Sequence, residues 1–210
     1  MKGCRSANSS RGRGQGIGQG NRPASKWLAK RGQYALLRAV QETVRKTDVA
    51  LITLMLHAGL RVSEVANLKV GDVRISQRKG SVTVRGGKGN KFRQVPLNVH
   101  ARKAIQAYLG EWPEMDGDHL FMGQGGEPLR SSGIYYLVKR YAYDARLEEV
   151  TPHTLRHTFG RNLVDAGVPL DRVAQLLGHE SADTTRIYTT PSEQDLQREV
   201  EKGGHKLKER

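Results

Sequence analysis

Several side chains in this sequence have the types needed to move a phosphoryl group. His153 and Arg156 lie three apart in the run T-P-H-T-L-R-H. On a helix that spacing puts them on one face, with Cβ atoms about 5–6 Å apart. An arginine offers a planar fork of donors that suits phosphate oxygens. A second arginine, Arg61 in G-L-R-V-S-E, could complete a clamp on the two non-bridging oxygens. Such a clamp stabilises charge as it builds up in the transition state. The hydroxyl of Tyr188 could act as a covalent nucleophile if a neighbour such as His153 takes its proton. The leaving alkoxide needs a proton, and Lys88, between two glycines at a hairpin tip, is of the right type to give one. Each residue also has a plainer reading. His153 could be a histidine at a helix N-terminus, His179 a C-cap, Tyr188 a core tyrosine and Lys88 a solvated hairpin lysine. Arg61 could cap the carbonyls of the preceding helix, and Glu64 could orient Arg61 or simply be solvated.

These residues need short, well-bounded elements to hold them. Thr151-Pro152 is an N-cap followed by proline at the first helical position, and Gly167 ends that helix. Pro169 opens a second helix, which Gly178 closes. Ser181 can cap a third, carrying Tyr188. Upstream, Leu36, Leu37, Val40 and Val44 fall at helical spacing within 33–44. Residues 48–58 are apolar almost throughout and read as a buried central helix ended by Gly59, with His57 as a core histidine. Three strand-like runs follow at 70–75, 81–86 and 92–97. The last two are joined by G-G-K-G-N-K, whose glycines allow close backbone approach to a ligand. The ribbon carries Lys91 and Arg93 and could lie along a nucleic-acid backbone. Asn98 caps a helix to about Leu109. Ser131 or Ser132 caps another to about Arg146, whose Lys139 and Arg140 are candidates for groove contact.

Composition sets the partner class. The 210 residues carry a formal charge of +14, and mean hydropathy is −0.61. That excess calls for a polyanion, nucleic acid first and an anionic membrane surface second. No apolar run approaches the roughly 18 residues of a membrane span. The single cysteine, Cys4, excludes an internal disulfide and a cysteine-rich zinc site. Residues 1–31 hold eight lysines or arginines and no acid, so more than half of the net charge lies there. Residues 1–24 are rich in Gly, Ser, Arg and Gln and read as a disordered basic tail. It could be a solubilising arm or a phosphate-binding one. Residues 202–210 read as a basic, frayed C-terminal tail.

Taken in order, G-L-R-V-S-E at 59–64, G-K-G at 87–89, H-T-L-R-H at 153–157, L-L-G-H at 176–179 and Tyr188 resemble the tyrosine recombinase (phage integrase) family. The resemblance runs over about residues 25–200, and it implies an α+β catalytic domain at 25–201. That domain would be mainly helical, with a small antiparallel three-stranded sheet. It implies that Arg61 and Arg156 grip the scissile phosphate and Lys88 protonates the 5′ oxygen. His153 would assist as base or proton shuttle, His179 would hydrogen-bond the phosphate and Tyr188 would attack it. Glu64 matches the acidic position that supports the first arginine. The implied reaction leaves a 3′-phosphotyrosine and needs neither cofactor nor metal nor ATP. Full-length members carry a separate helical DNA-clamping domain before the catalytic one. Here only the tail occupies that place, and R-P-A-S-K-W-L at 22–28 looks like the linker. The expected partners are double-stranded DNA, further copies of the chain through a last helix at 192–201, and a separate protein supplying the clamp. The expected location is the cytoplasm, on the nucleoid when bound to DNA. The competing expectation is a DNA-binding module without turnover.

Overall fold

The computed structural model describes residues 26–85, 92–111, 118–123 and 125–178. The expected tails, the helix at 192–201, the hairpin tip with Lys88 and Lys91, and His179 and Tyr188 lie outside the described residues.

The described chain runs α1 (Lys30–Gln41), α2 (Lys46–Ala58), α3 (Val62–Ala66), a 3-10 turn at Val70–Asp72, and β1 (Val73–Ile75), β2 (Gly80–Arg85) and β3 (Phe92–Pro96). It continues with α4 (Val99–Leu109), α5 (Ser131–Asp144), α6 (Pro152–Asp165) and α7 (Leu170–Leu177). The sheet is antiparallel in the order β1-β2-β3, with Val73 opposite Val82 and Val82 opposite Val95. A mainly helical domain with a small three-stranded sheet is therefore what the chain forms.

Helix α2 is apolar on every side because it is enclosed on every side. Ala50, Leu51, Ile52, Leu54, Met55, Leu56 and Ala58 are all buried. It packs on α1, α4 and α6. Its buried ion, Asp48, accepts from Tyr141 Oη at 2.7 Å and Arg140 Nη2 at 3.3 Å. A smaller apolar cluster of Phe159, Val173 and Leu177 joins α6 to α7.

Three local expectations change. Val44 shares the helical spacing of Leu36 and Val40, but α1 stops at Gln41 and Val44 is 95% exposed. Residues 70–72 form a 3-10 turn, not the start of a strand. The Asp72 carboxylate accepts from Lys69 N and from Arg85 Nε and Nη2, which folds the chain back onto β2. The N-cap of α5 is Arg130, without a side-chain cap bond, while Ser131 is already helical. Asn98, Thr151, Gly59 and Gly178 act as read: Asn98 Oδ1 accepts from Ala101 N, Thr151 Oγ1 accepts from Thr154 N, and both glycines close their helices at positive φ.

The Asn98 cap also settles the state of His57. Its Oδ1 is taken by Ala101 N, so its amide nitrogen faces His57 Nδ1 at 3.0 Å and donates. The imidazole therefore accepts at Nδ1, and its buried Nε2 has no hydrogen-bond partner among the described residues. Burial, with His100 and Lys30 nearby, lowers its pKa from 6.5 to about 4. The fold thus favours neutral His57, and the unfolded chain binds the extra proton between those two values. Stability from this source is complete above pH 6.5 and is lost as pH falls towards 4. Urea midpoints of the native chain are expected to drop across that window, and His57→Gln to flatten the slope. An equal slope in the variant would refute this account.

Candidate active site

The site is built where the C-termini of two helices meet. Gly59 ends α2 at φ 61° and Gly178 ends α7 at φ 66°, both left-handed. Helix ends leave carbonyls without intrahelical partners. Arg156 supplies two of the missing donors: its Nη1 donates to Gly59 O at 2.7 Å and its Nη2 to Leu177 O at 2.6 Å. Arg156 as a whole is 4% exposed. The carbonyl at the end of α2 is thus held by Arg156, on α6, and not by Arg61, its near neighbour in sequence.

Arg61 turns to α7 instead. Its Nη2 donates to Gly178 O at 2.9 Å and its Nη1 to Glu64 Oε1 at 2.9 Å. Its backbone N–H donates to Glu64 Oε2 at 2.7 Å, so Glu64 caps α3 and orients the arginine together. Nearly half of the Arg61 side chain is exposed, which leaves it open to a ligand.

Arg93 completes the cluster, in a manner the sequence reading missed. It was expected on a DNA-facing ribbon, but its fork grips Glu64, with Nη1 to Oε1 and Nη2 to Oε2, both at 2.8 Å. Its Nε donates to Leu176 O at 3.0 Å. The signal was strand parity: Arg93 shares the face of buried Val95 and stands opposite buried Val84. Its inward register rules out the outward role within this conformation. The arginine bonds hold the Glu64 carboxyl below the usual carboxylate range against the opposing effect of burial.

His153 sits on α6 one turn before Arg156, at the surface, with its ring edge-on to His157 at 4.2 Å. Partial burial and the Arg156 charge lower its pKa. It is therefore neutral at neutral pH and able to accept a proton. Of the α5 candidates, Lys139 is exposed, whereas Arg140 donates to Tyr141 Oη at 2.6 Å as well as to Asp48. Arg140 thus closes the buried Asp48 network. The structure brings together Arg61, Glu64, Arg93 and Arg156 at the end of α7, with His153 beside Arg156. The positions of Lys88, Lys91, His179 and Tyr188 fall outside the described residues. Chemically, the arrangement is a preset cationic cluster with a neutral imidazole next to it, suited to a phosphodiester.

Known proteins agree with this architecture. The sequence model described as the phage integrase family matches residues 26–195. Tyrosine recombinase XerA of Thermococcus kodakarensis is 38% identical over 184 residues, which is 86% of this chain and 64% of that protein. Tyrosine recombinase XerD of Ralstonia nicotianae is 40% identical over 148 residues, 68% of this chain and 47% of that one. The crystal structure of XerA recombinase has a TM-score of 0.76 at 29% identity, covering 84% of this chain and 64% of the other. XerH site-specific recombinase, bound to palindromic difH substrate in a post-cleavage complex, has a TM-score of 0.73 at 29% identity, covering 83% and 52%. The chain spans less than two thirds of the length of each of these relatives.

Proposed function

The chain belongs to the phage integrase family, and from that membership we propose that it cleaves and rejoins DNA strands through Tyr188. The observation that carries the proposal is the arginine cluster at the end of α7, with Arg61 half open and a neutral histidine beside Arg156. A phosphodiester presented to Arg61 would have its developing charge stabilised by donors already in place. Arg156 would act from beneath, through its charge and by fixing both helix ends.

In the cleavage step, the Tyr188 oxygen bonds to phosphorus and the bond from phosphorus to the 5′ oxygen breaks. The tyrosine proton passes to His153, and Lys88 protonates the 5′ oxygen. His179, next in the chain after Gly178, would hydrogen-bond the phosphate. The bond energy stays in the phosphotyrosine, so attack by a 5′ hydroxyl restores DNA without ATP. No metal is needed in such a scheme, because the arginines carry the charge stabilisation. Double-stranded DNA is the partner this reading requires. Lys139, exposed on α5, is proposed to contact it, and Lys91 with it. Copies of the chain would assemble on DNA through residues 192–201, with a separate protein supplying a DNA clamp. Among the described residues no helix is long and apolar enough to cross a membrane.

The second reading is DNA binding without turnover. One experiment separates the two. The native chain is incubated with nicked suicide duplexes in EDTA and resolved in SDS. A protein–DNA adduct is expected, and Tyr188→Phe is expected to abolish it while leaving DNA binding unchanged. DNA binding with no adduct on any duplex would establish the second reading instead.

A further inference from the structure

The end of α7 shows an arrangement that the proposed chemistry does not by itself require. Three successive carbonyls, of Leu176, Leu177 and Gly178, are each held by a different arginine: Arg93, Arg156 and Arg61. Arg93 also grips both oxygens of Glu64, the carboxylate that orients Arg61. A single side chain on β3 therefore ties α3 to α7. Gly178 is part of the same fit. A Cβ there would lie 2.8 Å from Arg93 Nη1, so the guanidinium occupies the space that only glycine leaves open.

We propose that Arg93 is a positioning residue for strand cleavage, acting through Glu64, Arg61 and the end of α7. The inference rests on the cleavage reading above. A buried ion pair made only for stability could be replaced by apolar packing at little loss. The geometry here asks for more than a charge: three nitrogens of one planar group donate at once, two to the Glu64 carboxylate and one to the Leu176 carbonyl. A lysine can supply the charge but not that set of directions. Arg93 thus fixes the direction of Arg61 and the point from which the chain runs on to His179 and Tyr188.

The test compares Arg93→Lys with the native chain in two measurements. The first is the single-turnover rate of adduct formation at saturating nicked duplex, with duplex affinity measured separately. The rate is expected to fall by about tenfold to a hundredfold, as small misplacements of catalytic groups do, with affinity little changed. The second is amide hydrogen exchange without DNA, which does not depend on cleavage. Faster exchange is expected at 62–66 and 170–178, with α2 and α4 as protected as in the native chain. Unchanged exchange at 170–178 would overturn the proposal, whether or not the native chain cleaves. So would faster exchange throughout α2 and α4, which would make Arg93 a general stability residue. A native chain without adduct overturns the cleavage reading and the catalytic part of the proposal with it; local exchange then reports the tie alone.

Discussion

Gly59→Ala is expected to destabilise the protein by about 2–5 kcal/mol. The left-handed conformation costs a residue with a Cβ about 1–2 kcal/mol. Overfilling a packed site adds about 1–3 kcal/mol. Both apply at Gly59, where φ is 61° and an added Cβ would come within 2.2 Å of Cδ1 of the Phe159 ring. Phe159 cannot swing aside cheaply, because it anchors the small cluster that joins α6 to α7. Gly167 supplies the internal control. Its φ is 78°, yet nothing lies within 4 Å of the Cβ it would gain, so Gly167→Ala should show the backbone cost alone. Urea unfolding of both variants measures the difference. Equal losses would mean that the Phe159 contact relaxes freely and that α2 and α6 are not held at a fixed distance.

Arg156→Met is expected to damage stability and chemistry together, by separable amounts. Removing the guanidinium leaves Gly59 O and Leu177 O buried without these donors. An unsatisfied buried acceptor costs about 1–3 kcal/mol. The loss should therefore be roughly twice that of deleting one hydrogen bond, and it should appear in unfolding experiments without DNA. The rate of adduct formation should fall by at least about a hundredfold, because the positive charge beneath the phosphate and the placement of both helix ends are lost together. The rate must be read at a temperature where circular dichroism shows the variant folded. Arg156→Lys should recover little of either property, since one ammonium cannot reproduce the two directions of the fork. A lysine variant with native stability would show that the charge, and not the bridge between two helix ends, is what the fold uses.

Both variants touch features of different legibility in the sequence. The glycines that end α2 and α7, the Thr151 cap and the Asn98 cap are local signals, and each marks its boundary correctly. The unbroken apolar run of α2 announces a central helix. Val44 misleads because periodicity carries on past the point where α1 stops, and only tertiary packing decides that. Residues 70–72 look like strand, but the Asp72 carboxylate finds Arg85 and draws them into a turn. The site is harder to read. Motif order brings out Arg61, Glu64, His153 and Arg156, but not what they touch. Arg61 lies beside the end of α2 in the chain, so local reasoning assigns it those carbonyls. The donor that reaches Gly59 comes from 97 residues away. Backbone carbonyls carry no residue identity, so no spacing rule could pair them with arginines. Arg93 is a different kind of miss: alternation on β3 puts it on the face of buried Val95 and opposite Val84, yet its charge on a basic ribbon draws the expectation outward to DNA.

The carbonyl-bound arginines have one more consequence, for the thermodynamics of ligand capture. A free arginine on a surface must surrender rotamer freedom when an anion docks, at about 0.5–1.5 kcal/mol for such a side chain. Arg61 has already lost that freedom to Glu64 and Gly178 O, although nearly half of it remains open to solvent. The ordering is completed during folding, so a docking phosphate meets a rigid receptor. More of its interaction energy then appears as affinity, and less is consumed in organising the protein.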